Sequence, residues 1–141
     1  MIQFTVYGEP AAKGRPRAAM GADGRIRGAY TPGKTRVEET NFRAQAVRVK
    51  PERPFEGPVV LEVVFFRGVP RSWSERKKER ALSGGILPAV RPDTDNLVKL
   101  VKDALNGVFW RDDAQVVKLT AEKRYSDTPR TEVKIEEVEN A

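Results

Sequence analysis

The chain has 141 residues, a net charge of +6, and neither cysteine nor histidine. That length is most simply one domain, expected to span 1–141. The missing residue types exclude disulfides, thiolate zinc sites, thiol nucleophiles, Ser-His-Asp triads and histidine general bases, leaving hydrolytic chemistry to carboxylates, lysine, metal ions and water. A basic balance favours phosphate polyanions or anionic membrane surfaces as partners. No apolar run approaches the ~20 residues that cross a bilayer, and the first residues read as a strand without a signal-peptide pattern, so a cytoplasmic location with no membrane partner is expected.

Ile2, Phe4 and Val6 alternate with Gln3, Thr5 and Tyr7, the period of a half-buried strand. From about 9 to 34 the chain is a basic, glycine-rich loop carrying Lys13, Arg15, Arg17, Arg25 and Arg27. Asp23-Gly24 could make a hairpin turn within it. A loop of about 25 residues is long for a compact domain, and reads either as a basic flap over nucleic acid or as a solvated connection. Thr35 and Glu38 have capping-box spacing and predict a helix starting there, with Val37, Ala44 and Val47 as its apolar side. Pro51 and Pro54 close it.

Val59 to Phe66 is apolar on both faces and reads as a central strand. Ser72 to Leu82 predicts a short helix capped by Ser72 or Ser74, bearing the basic residues Arg76, Lys77 and Lys78 beside Trp73. Such a cluster is either a solvated face or a backbone contact with an aromatic platform. After Pro92, Leu97, Leu100, Val101, Ala104 and Leu105 form one buried helical stripe that Asn106-Gly107 ends. Val117, Leu119 and Ala121 then predict a strand with one apolar face, and Val133 and Ile135 a short last strand. The order β, α, β, α, α, β, β indicates an α+β fold: a small mixed sheet packed with two to three helices as a mixed α/β sandwich.

Acidic residues bracket the stripe. Asp93 and Asp95 lie at or before the helix start, where the positive end of the helix dipole favours ionised carboxylates. Lys99 is four residues beyond Asp95, on the same face one turn on. Asp112 and Asp113 follow the aromatic pair Phe109-Trp110. If the next strand folds back beside the helix, one of them reaches the first pair, and three carboxylates would suit magnesium. The alternatives are plain capping at 93 or 95 and an ordinary turn at 112–113. An EF-hand fails because Val98 and Ala104 stand where a glycine and an acid are needed, and no phosphate-binding glycine loop is present, so no nucleotide cofactor is expected.

The segments Pro-Asp-Thr-Asp-Asn-Leu-Val-Lys (92–99), Asp-Ala-Leu-Asn-Gly (103–107) and Asp-Asp-Ala-Gln-Val (112–116) resemble the RusA family of Holliday junction resolvases, common in prophages. Gly8 to Arg17 is similar to the start of many members, and Lys123 stands where members often carry a lysine. The resemblance implies a magnesium-dependent endodeoxyribonuclease, with manganese as a substitute, acting as a homodimer that cuts four-way DNA junctions by paired symmetric nicks. It assigns metal-binding and catalysis to Asp93, Asp95 and Asp113, and catalysis to Lys99. Asp103 would orient Lys99, and Asp112 would point away. Lys13, Arg15, Arg17, Arg25, Arg27, Arg76, Lys77 and Lys78 would contact DNA. Two rival readings stand beside it: a non-catalytic junction- or single-strand-binding module, and a nuclease for other branched DNA.

Overall fold

The structure, a computed structural model, describes residues 1–13, 17–30 and 33–140, with the backbone alone at 17–20, 26–30 and 34. The elements in chain order are β1 (Ile2–Tyr7), β2 (Arg17–Met20), β3 (Ile26–Tyr30), α1 (Gly33–Ala46), β4 (Val59–Gly68), α2 (Glu75–Leu82), α3 (Thr94–Leu105), β5 (Val116–Ser126) and β6 (Arg130–Glu137). Four strands form one mixed sheet in the order β1-β6-β4-β5. β6 is antiparallel to both β1 and β4, whereas β5 runs parallel to β4. The parallel pair follows from the helical crossover through α2 and α3, which returns the chain to the end from which β4 started. The α+β expectation holds.

One face of the sheet carries the core. Val59, Leu61, Val63 and Phe65 of β4 meet Val133 and Ile135 of β6, and the stripe Leu97, Leu100, Val101, Ala104 and Leu105 of α3 covers them. Each such side chain contributes roughly 1.5–3 kcal/mol by leaving water. Phe109 and Trp110 are fully buried at the end of α3, and Phe4 stacks on Phe109 at 5.6 Å between ring centroids. β4 is interior, as its apolar run implies. The helix predicted after Pro92 has the expected stripe, and Gly107, at φ +80°, makes the stop.

The hairpin turn expected at Asp23-Gly24 is present: β2 and β3 pair across it, with Gly24 at φ +78°, so the glycine-rich stretch is not loop throughout. The start and inward side of α1, the burial of β5 and the lengths of β5 and β6 need correction. α1 starts at Gly33, so Thr35 lies inside the helix and is buried rather than capping it. Its inward side is Thr35, Phe42 and Ala46, while Val37 is 58% exposed and Val47 37% exposed; the large aromatic ring chose the buried face over two isolated valines. On β5 the alternation is correct but burial is not: Val117 is 64% exposed and Leu119 44% exposed, because β5 is the outer strand and α3 covers only part of it. β5 and β6 are also longer than their apolar residues suggest, since ladder pairing with β4 carries polar positions along. Among the described residues no helix is long and apolar enough to cross a membrane.

Candidate active site

Asp93 occupies the N-cap position of α3, yet its side chain makes no capping hydrogen bond. Asp95 sits in the first turn, and both residues are exposed. Neither carboxylate has a hydrogen-bond or ion-pair partner among the described residues, although both stand at the positive end of a twelve-residue helix. Two free hard oxygen donors fit a divalent cation such as magnesium, which one or two protein carboxylates hold while waters and substrate phosphate fill its other positions. Among the described residues no group of three acidic side chains within one chain could hold a metal.

The backbone that delivers these carboxylates is held by two cations. Lys123 Nζ, from β5, donates to the carbonyls of Val90 at 2.8 Å and Pro92 at 3.0 Å. Arg67 Nη1, from the end of β4, donates to the intervening carbonyl of Arg91 at 2.6 Å. Three successive carbonyls before Asp93 are thus fixed by charge-assisted bonds from adjacent strands. Glu9 buttresses the arginine, lying 3.4 Å from Arg67 Nε and accepting from the Gly68 N–H at 2.8 Å. Sequence reasoning missed this arrangement. The available signal was Lys123 itself, a cation in the same strand register as Val117, Leu119 and Ala121.

Lys99 is held from behind. Its Nζ lies 3.2 Å from Asp103 Oδ1, one turn on, while 59% of the side chain remains exposed. Asp103 also receives Lys13 Nζ at 3.2 Å, and Lys13 bonds Glu39 of α1 at 2.9 Å. Burial opposes charge on Lys13, but its hydrogen bonds and Coulomb attraction to Glu39 and Asp103 outweigh that and hold its pKa above 10.5. The Lys13 N–H donates to the Asn96 carbonyl, tying the chain before β2 to the first turn of α3. Arg43 of α1 completes the cluster by donating to the carbonyls of Asp103 and Ala104 near the end of α3. Lys13 is therefore committed to two carboxylates and is only 19% exposed.

Asp112 and Asp113 sit elsewhere. Asp112 caps a short turn, accepting from the Ala114 N–H at 3.1 Å, and Gln115 returns the bond to the N–H of Asp112 at 2.9 Å. Asp113 Oδ1 accepts from Trp110 Nε1 at 2.9 Å. This turn packs by the start of β4, where Gln115 Nε2 donates to the carbonyls of Phe55 and Gly57. The 90–93 segment lies at the opposite end, beside Arg67. α3 alone is about 18 Å long, and Val116 to Lys123 spans roughly 23 Å of strand. A single chain therefore brings Asp93, Asp95 and Lys99 together and leaves Asp113 at the far end of α3.

Of the basic residues, Arg15 lies outside the described residues, as do the side chains of Arg17 and Arg27. Arg25 is exposed on the hairpin turn, 3.9 Å from Asp23. On α2, capped by Ser74, Arg76 is exposed and Lys78 pairs with Glu75. Lys77 Nζ stands 4.0 Å from the centre of the Trp73 ring, which packs edge-on against Tyr125.

Comparison with known proteins places the chain in a family. The family model for endodeoxyribonuclease RusA matches residues 7–136. The chain is 44% identical over 139 residues to uncharacterized protein YqaN of Bacillus subtilis (strain 168), covering 97% of this chain and 96% of that protein. It is 32% identical over 103 residues to the crossover junction endodeoxyribonuclease rusA of Lactococcus phage r1t, covering 70% of each. A match running from the end of β1 to the end of β6, with the two carboxylates and Lys99 inside it, makes this chain a member of the RusA family of Holliday junction resolvases.

Proposed function

We propose that the protein is a magnesium-dependent, structure-selective endonuclease that resolves four-way DNA junctions by paired symmetric nicks, acting as a homodimer. The observation that carries this reading is the pair of carboxylates Asp93 and Asp95, without a partner among the described residues, presented at a helix N-terminus one turn from a lysine on the same face. When bound, the cation supplies Lewis acidity and an activated water. Asp93, Asp95 and Asp113 are its proposed ligands, and manganese would serve as well. Lys99, steered by Asp103, faces the phosphate and stabilises the charge that builds on its oxygens in the transition state. Water adds to phosphorus, one ester P–O bond breaks, and the products are a phosphate end and a hydroxyl end. The charges at Arg25, Arg76, Lys77 and Lys78, with Arg15, Arg17 and Arg27, supply DNA backbone contacts, while Lys13 supports the site through Asp103.

The test is cleavage of a synthetic four-way junction with and without magnesium, comparing wild type with Asp95→Asn. Metal-dependent paired nicking by wild type and none by the variant is the expected result. Intact DNA with wild type and metal present would favour the non-catalytic binding module. Equal cleavage of three-way and linear substrates would favour a broader branched-DNA nuclease.

A further inference from the structure

We infer that the segment leading into Asp93 carries an apolar tip, Leu87 and Val90, that packs on the bases at the branch point of the DNA and opens them for cutting. This rests on the nuclease reading above and adds a pair of residues that selects branched over continuous duplex. Between α2 and α3 the chain exposes three large apolar side chains: Leu82 is 48% exposed, Leu87 61% and Val90 55%. Single exposed apolar residues are ordinary on a protein surface. These differ in how they are held. Gly84, at φ +89°, and Gly85 turn the chain off α2, donating to the carbonyls of Ala81 and Arg80. Pro88 is buried between the two tip residues, and the Ala89 N–H closes a tight turn on the Leu87 carbonyl at 2.9 Å. Lys123 then fixes the Val90 carbonyl. An apolar side chain presented on a fixed backbone loses little conformational freedom when it binds.

Position says what the tip meets. Val90 is three residues from Asp93 and Leu87 six, so even a fully extended chain keeps them within about 10 Å and about 20 Å of it. Cutting brings a phosphate to Asp93, so DNA lies across this segment. The flanks agree. Arg91 is exposed and lines one open groove with Asp93 and Asn96, and α2, from which the segment starts, carries exposed Arg76 and Arg80. Cations suit phosphates, whereas aliphatic side chains gain nothing from them. In a continuous duplex the base faces are stacked, and parting them costs energy. At a branch point the stack is interrupted, and an aliphatic tip can cover a base face that water would otherwise wet. The tip thereby favours junctions without reading their sequence.

Fluorescence tests this without cleavage. 2-Aminopurine, which brightens on unstacking, is placed at the branch of a synthetic four-way junction or, as a control, in the middle of one arm. Asp95→Asn protein is added in magnesium. Emission should rise at the branch and not in the arm, and adding Leu87→Ser and Val90→Ser should abolish the rise. Both side chains are exposed, so the fold should be kept. No rise, or an equal rise with both serines present, overturns the tip.

Kinetics separates the tip from a structural support. In the otherwise wild-type protein the two serines should lower kcat on a fully paired junction by roughly 10–100-fold, the worth of burying one such side chain. KM, set by phosphate contacts, should change little, and Leu87→Met with Val90→Ile should keep the rate. A junction with mismatched pairs at the branch is already open, and the double serine variant should cut it like wild type. Equal slowing on both junctions overturns the tip and makes the segment a support for Asp93. Wild type that cuts neither junction in magnesium overturns the nuclease reading instead, while the emission result still decides the tip.

Discussion

The two ends of α3 present carboxylates in opposite ways. At the N-terminal end the backbone is clamped and the side chains are free: Lys123 and Arg67 hold three carbonyls, while Asp93 and Asp95 have no partner among the described residues. At the C-terminal end the side chains themselves are seated, Asp112 on the Ala114 N–H and Asp113 on the Trp110 indole. The first arrangement fixes position without using up any ligand oxygen. The second spends one oxygen of Asp113 on a buried tryptophan and leaves the other available. Substitutions at the two ends should therefore separate activity from stability differently.

The largest effect is expected from the carboxylates. Asp95→Asn and Asp113→Asn should each lower cleavage by at least about 10²–10³, the scale set by losing one preorganised group that stabilises transition-state charge. Junction affinity should hold or improve, since a negative charge facing phosphate is removed. The stability profiles differ: Asp95→Ala should cost only its helix-dipole contribution, about 0.3–1 kcal/mol, whereas Asp113→Ala should cost about 1–3 kcal/mol because the buried Trp110 N–H loses its acceptor. Asp113→Asn retains that acceptor and should melt like wild type. Equal melting of Asp113→Ala and Asp113→Asn would show that the indole bond does not seat this residue.

Next is the clamp. Lys123→Met leaves every proposed ligand in place but frees the Val90 and Pro92 carbonyls. Magnesium half-saturation of cleavage should weaken by roughly 10–100-fold, the range for losing a partner behind a metal ligand. Junction binding without metal should be unaffected, and Lys123→Arg should recover part of the loss. A fall in junction affinity with unchanged magnesium dependence would instead make Lys123 a DNA-binding residue.

How much of this was legible depends on range. The α3 stripe, the interior strand β4 and the Asp93–Lys99 phasing are local patterns, and the structure reproduces them. The distance between Asp95 and Asp113 is not local. The residues 106–116 permit either end of α3 to face Asp113, and the choice follows from parallel pairing of β5 with β4, which no short segment encodes. The clamp is invisible for the same reason, because its acceptors are backbone carbonyls some 30 residues from the lysine. Lys13 shows the same limit: a lysine in a basic loop looks like a phosphate ligand, and only the fold places Glu39 and Asp103 beside it.

Lys13 connects the two ends, since Asp103 holds both it and Lys99. Lys13→Met should cost about 1–2 kcal/mol, as expected for charge-assisted hydrogen bonds with little solvent exposure. It should also lower cleavage modestly by loosening Lys99. The sign of the pH effect follows from its raised pKa: its contribution is fully present below the unfolded-state value and is lost as pH rises through the folded-state value above 10.5. Wild type should therefore lose stability relative to Lys13→Met only in the alkaline limb. A difference that instead disappears on acidification would point to the Glu39 and Asp103 carboxylates as the titrating groups.

The smallest effect is expected furthest from α3, on α2. Replacing Arg76 and Lys77 with Gln should make junction binding less sensitive to salt, by about one unit of slope for each phosphate no longer neutralised. The cleavage rate of bound DNA should change little. The two residues need not contribute equally. Arg76 is exposed without an ion-pair partner among the described residues, whereas Lys77 is already drawn over the Trp73 ring. Gln at 76 should therefore change the slope more than Gln at 77. Equal slopes in wild type and both variants would mean that α2 is a solvated face, leaving electrostatic recognition to the hairpin.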